Sequence, residues 1–397
     1  MNLLDPKTGD AQLHRRSFFQ LPVTGLVILA GLLLAGGVLH AQQGRPRAWI
    51  PESADTVVER LPRGYAALVP RGPVPASGAP PSLDEAQRLL ATAASTGDAR
   101  LAARAASLLD RSGDTESVDA LRARAFSAQH QHDFGSALSL LDRAVALDPR
   151  NGDARLARAQ IQMVRGALGR ARTDCIALAL GVDARAGTLC VAAMALRRGQ
   201  FDDAARLTDR WLEQSGDGDP LRRHAYVQRG EIAARSGDPA IDRWFRRALD
   251  LAPGDVRTLS AYARALGDAG RHRDVLLLLR NAPDHDGLAL LQTRSASALG
   301  LRQAPAMRER QARRYRLARA MGSEPELRDE AELMLLMGHD ELALSLAQRN
   351  FETQRDHEDV DILLRSARAV ARPDALQPAR DWATAQGLAL DAPGDAP

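Results

Sequence analysis

Side chains able to do chemistry are sparse in this sequence, and few fall at working distances. His130 and His132 stand two apart, so on a helix they would point about 200° away from each other. They could share a metal only across a turn; the plainer reading is a pair of solvated histidines. Asp284-His285-Asp286 lies in a proline-bounded loop and reads as a polar turn. Asp202-Asp203 and Asp329-Glu330 fall where helices should begin, and the helix dipole favours acids there. Cys175 and Cys190 are the only cysteines, and they form no Cys-x-x-Cys pair. The sequence has no Gly-x-Gly-x-x-Gly, phosphate loop, Gly-x-Ser-x-Gly or His-Glu-x-x-His. The reading is therefore non-enzymatic, with no catalytic residues, no cofactor and no metal.

The charges point to no nucleic-acid partner. The formal net charge is +3, and Lys7 is the only lysine, so the basic residues are almost all arginine. Acids are interspersed with them along the chain, so no basic stripe is formed.

The elements that must position any binding side chains are short helices. Asp119–Pro149 sets the pattern. Leu121, Ala125 and Ala128 fall three to four apart, on one helical face. A turn at His130–Asp133 follows, then a second periodic run of Phe134, Ala137, Leu138, Leu141, Ala144 and Val145. Asp148-Pro149 stops it, because proline cannot continue a helix. The product is an αα-hairpin, which cannot bury both apolar faces without neighbours. The small residue at Ala137 recurs at Ala102, Ala171, Ala204, Ile241, Val275, Ala343 and Ala379, near multiples of 34 residues. Composition agrees: 45% hydrophobic, only 4% aromatic, and dominated by alanine and leucine.

That period, with Gly-Asp or Gly-polar-aromatic turns at Gly97, Gly199 and Gly237, resembles the tetratricopeptide repeat (TPR) family from about Ser82 to Leu390. The family's large aromatic early in the first helix is replaced by Leu121, Arg155 and Ala225. The resemblance implies an all-α solenoid of eight or nine αα-hairpins in a right-handed superhelix. It also implies that the first helix of each hairpin lines a concave groove for a protein or peptide partner. Position by position, that groove would present Arg122, Phe126, Gln129, Gln160, Met163, Arg197, Glu231, Arg235 and Arg264. Arginines there could grip carboxylates bidentately. The family's carboxylate clamp is absent, because Phe126 and Gln160 stand where asparagines belong. The repeat register also turns Cys175 and Cys190 into the core on adjacent helices. There they would be either a disulfide, suited to an oxidising compartment, or two buried thiols.

The N-terminus adds a second expectation. Residues 1–20 are polar and end near Arg15-Arg16; residues 21–41 are almost wholly apolar, long enough to span a bilayer. This is either a cleaved secretory signal or a retained anchor with its arginines in the cytoplasm. Leu39 is a poor residue for a cleavage site and the run is longer than an ordinary signal core, which favours the anchor. Residues 42–81 are rich in proline and glycine and read as a linker, with a short capped helix over 53–62. The repeat domain spans 82–390 and a polar tail 391–397. The expected protein is a bacterial envelope scaffold or assembly factor, held to the inner membrane or released into the periplasm. The alternative is a structural subunit of an envelope transport or maturation complex.

Overall fold

A computed structural model describes residues 83–96, 99–111, 113, 116–320 and 325–388. The apolar segment at 21–41, the linker at 42–81 with its short helix, the Ser82 cap and the tail at 391–397 lie outside the described residues. Among the described residues there are eighteen α-helices and no strand. They pair into nine hairpins. These are α1 (Leu83–Thr96) with α2 (Ala99–Arg111), α3 (Val118–His130) with α4 (Phe134–Leu147), and α5 (Gly152–Val164) with α6 (Leu168–Ala177). Next come α7 (Ala184–Arg197) with α8 (Phe201–Gln214), α9 (Arg222–Ser236) with α10 (Ile241–Leu251), and α11 (Val256–Asp268) with α12 (His272–Leu278). The last three are α13 (Asp286–Ala298) with α14 (Ala304–Ala320), α15 (Leu327–Met337) with α16 (Asp340–Thr353), and α17 (His357–Ala369) with α18 (Gln377–Gln386). No helix among the described residues is long and apolar enough to cross a membrane.

Local chemistry sets the punctuation. Several first helices begin on a side-chain cap: the Ser117 hydroxyl accepts from the Ala120 N–H, Asn151 Oδ1 from Ala154, and Asp255 Oδ2 from Thr258. Each such cap is worth about 1 kcal/mol. Between the two helices of a hairpin the chain reverses through a left-handed residue, at Gly166, Gly199, Gly270 and Gly338. The second helix starts two residues later, and its fourth residue is the close-approach position. Ala171, Ala204, Val275 and Ala343 occupy it and are fully buried.

Ile241 departs from that pattern. Asp238, Pro239 and Ala240 lengthen the turn after Gly237, so Ile241 opens α10 and is only partly buried. The small residue here is on the first helix instead. A Cβ at Gly230 would lie 2.8 Å from the ring of the fully buried Phe245.

The core runs along the array as a chain of clusters rather than one centre, as a solenoid requires. Leu121, Phe134, Leu141 and Ile161 fill one; Trp211, Tyr226, Trp244, Phe245 and Tyr262 fill another. The rings of Phe245 and Tyr262 stack with centroids 5.0 Å apart. The array continues through its C-terminal hairpins, since α15 packs on both α13 and α14. Cys175 and Cys190 are joined by a disulfide, Cα to Cα 5.2 Å, within the cluster formed by α5, α6 and α7.

Candidate interaction groove

The first helices stack on one another from α1 to α17, through α3, α5, α7, α9, α11, α13 and α15. They make one continuous inner face. The face curls, because α1 also touches α11. Side chains on it therefore meet partners far away in sequence.

The expected groove residues separate into three sets. Arg197, Glu231, Arg235 and Arg264 come together on α7, α9 and α11, and they face acids of the C-terminal hairpins. Arg197 donates from Nε and Nη2 to Asp356 Oδ1 at 3.0 and 2.9 Å. Arg264 lies 4.0 Å from Glu358. Arg235 donates to the Leu196 carbonyl at 3.1 Å and lies over the Phe201 ring. The second set lies on α3 and α5. Arg122 bridges Asp119 and Asp153 at 2.9 and 2.7 Å, and Phe126 meets the His130 ring edge-on at 4.7 Å. Gln129 and Gln160 are half-buried there. The third set is Met163 alone. It is 3% exposed and packs with Leu168, Ala171 and Cys175, so it is a core side chain and not a groove residue. Its helix turns it inward because methionine fills the space beside the disulfide.

The inner face here is confined but not sealed. Arg197 keeps 27% of its side chain exposed and Glu358 keeps 41%, yet protein surrounds both. Burial raises Glu358, but Arg264 and Arg328 outweigh it and hold the carboxyl at about 2. Burial raises Glu231 despite Arg257 nearby. Burial, reinforced by Arg257, Arg223 and Arg197, pulls His224 down to about 3, so its imidazole is neutral at ordinary pH. Such a surface can exchange ion pairs with a polar partner.

Sequence reasoning did not identify the acids that answer these arginines. Asp356, Glu358 and Asp359 sit at the start of α17. Their interior role depends on the curl of the array, which brings Asp356 to Arg197 across 159 residues. The same curl brings Glu326 to His132, Nε2 to Oε2 2.8 Å, and Trp382 to Gly166, where the indole N–H donates to the carbonyl at 3.0 Å. The Arg355 N–H donates to the Val164 carbonyl at 2.7 Å. Among the described residues no group of three His, Cys, Asp or Glu could hold a metal ion.

No protein-family model matches the chain, and no curated protein matches it. Among solved structures, it is similar to a tetratricopeptide repeat protein from Parabacteroides merdae, with 16% identity and a TM-score of 0.38 over 63% of this chain and 98% of that one. It is similar to human IFIT1, solved as a dimer with PPP-AAAA, with 17% identity and a TM-score of 0.46 over 73% and 69%. It is also similar to yeast Tom70, with 16% identity and a TM-score of 0.41 over 72% and 62%.

Proposed function

We propose that the array is a non-enzymatic protein-interaction scaffold that receives a polar segment of a partner protein on its inner face. The observation that carries this is the unbroken stack of first helices. It presents Gln129 and Gln160 beside Arg122 at one end and an arginine–carboxylate network at the other. The rival reading, a constitutive structural subunit, calls for a broad apolar patch. The large exposed apolar side chains among the described residues, including Leu147, Leu180, Leu251 and Leu317, belong to different hairpins, which supports the transient, polar mode.

Photocrosslinking amino acids placed at Gln129 and Gln160 test this in cells. The expected result is a discrete crosslinked partner from both positions and none from Arg172, an exposed position on α6. Crosslinks from Arg172 alone, or from no position, would refute an inner-face site.

The same proposal places the scaffold in a bacterial envelope, with the repeats outside the cytoplasm. Two features support this: the apolar stretch at 21–41 behind Arg15-Arg16, and a cysteine pair positioned to bridge. Alkaline phosphatase fused after Pro81 is expected to be active; an inactive fusion would put the repeats in the cytoplasm.

A further inference from the structure

A cavity of about 520 Å³ opens at the turn between α5 and α6, and it is lined by Arg165, Arg170, Arg198, Arg355 and Trp382. We propose that it binds a multiply charged oxyanion of the phosphoryl class, at a site separate from the inner face.

The charge pattern makes the first argument. Several arginines elsewhere are answered by acids: Arg158 by Asp142 and Asp174, Arg271 by Asp242 and Asp274, Arg365 by Glu332 and Asp361. The four arginines of the cavity form no ion pair among the described residues, and no acid lines it. The whole chain carries a formal charge of only +3, so four guanidinium groups gathered around a lining with no acid concentrate positive charge locally.

The second argument is that they come from separate elements. Arg165 follows α5, Arg170 lies on the first turn of α6, Arg198 follows α7, and Arg355 lies between α16 and α17. Gathering them costs repulsion, and burial together with Arg165 depresses the Arg355 guanidinium. A bound anion would remove that cost.

The third argument is geometric. Arg355 is held in place: its backbone N–H is bonded to the Val164 carbonyl, its Nε donates to the Phe351 carbonyl at 3.0 Å, and it lies over the Phe351 ring. Its two terminal nitrogens form no hydrogen bond with the protein among the described residues and remain for a ligand. Trp382 spends its N–H on Gly166 and supplies a rigid wall. Ala167 and Gly169 line the cavity at the start of α6, where no side chain caps the helix, so the positive end of its dipole adds to the field. One carboxylate would engage a single guanidinium fork; four guanidinium groups call for a ligand with two or more charges and several oxygens.

The test is calorimetric titration of the full chain with inorganic pyrophosphate at physiological salt, with glycerol 3-phosphate and acetate as further probes. Saturable binding of pyrophosphate, weaker binding of glycerol 3-phosphate and none of acetate are expected. A preference for glycerol 3-phosphate would identify a lipid-type headgroup as the source of the same phosphoryl chemistry. Arg165→Ala and Arg170→Ala should each weaken binding by about tenfold. Arg172→Ala, on the same helix but outside the cavity, should leave it unchanged. Arg170 is solvent-exposed, so its variant keeps the fold and the test remains decisive. No saturable binding of either phosphorylated probe, or equal affinity across all variants, would overturn the proposal.

Discussion

His132 takes the left-handed conformation, φ 58°, at the turn position where Gly166, Gly199, Gly270 and Gly338 stand in other hairpins. That conformation costs a side-chain-bearing residue about 1–2 kcal/mol. It is retained here with the imidazole placed against Glu326 at 2.8 Å. The hydrogen bond to Glu326 raises the His132 pKa against the lowering effects of burial and Arg328, with Asp329 adding to the rise. Burial raises Glu326, but His132, Arg328 and Gln354 outweigh it and hold it at about 2. The histidine's contribution to stability is full below its ordinary value near 6.5 and is lost as pH rises through its raised value. The glutamate's contribution is present above about 4.5 and is lost as pH falls through about 2. The contact is therefore strongest between those limits. His130 runs the other way, lowered by burial and by His132, and its contribution is lost as pH falls. His132→Gly relieves the backbone but removes the contact. Its melting temperature should fall below that of the wild type at pH 6, and the gap should shrink or reverse at pH 8. An equal gap at both values would show that the pair does not titrate as described. None of this is legible from local spacing, which shows two histidines at a turn while the partner lies in the C-terminal hairpins.

At the scale of elements, much was legible. Hairpin positions follow from the spacing of small residues and from the glycines that reverse the chain, both of them local signals. The pattern misses at Ile241, where Pro239 lengthens a turn and exchanges the small and large residues between α9 and α10. Two devices hold α6 to its neighbours. Asp174, 1% exposed, accepts from Arg155 at 3.0 Å and from Arg158 at 2.8 and 2.7 Å. Asp174→Ala leaves two half-buried guanidinium groups without it, and should cost roughly 3 kcal/mol in urea unfolding. A loss below about 1 kcal/mol would mean that the arginines find other partners. The disulfide closes a sequence separation of 15 residues, which corresponds to a stabilisation of up to about 3 kcal/mol. Adding reductant should lower the unfolding midpoint of the wild type and leave that of a Cys175→Ser, Cys190→Ser variant unmoved. Equal midpoints with and without reductant in the wild type would argue for two free thiols.

At the scale of the molecule, nearest-neighbour stacking accounts for the hairpins but not for the curl that brings the C-terminal hairpins back onto the second, third and fourth. Local spacing encodes the hairpins; the curl accumulates from small rotations at each interface, so no short stretch of sequence announces it. Its signature is the set of distant contacts, with Trp382 on Gly166, Arg355 on Val164, and Arg197 on Asp356. The last is open to a charge-swap cycle. Arg197→Asp would set an acid against Asp356 close to Glu231 and Glu358, three carboxylates without their central cation. Asp356→Arg would set two guanidinium groups together and also disturb the start of α17, whose first turn Asp356 and Asp359 close as a capping box. Each single variant should be destabilised by roughly 1–3 kcal/mol, and small-angle scattering should show an expanded chain. In the double variant the reversed pair can form again. The lost cap, worth about 1 kcal/mol, will keep it below the wild type, so recovery has to be judged from the coupling energy of the cycle. That coupling should be favourable by about 1–2 kcal/mol, with the radius of gyration returning toward the wild-type value. A coupling of zero would mean that Arg197 and Asp356 do not meet in solution, and the inner face would then be open to a partner along its whole length.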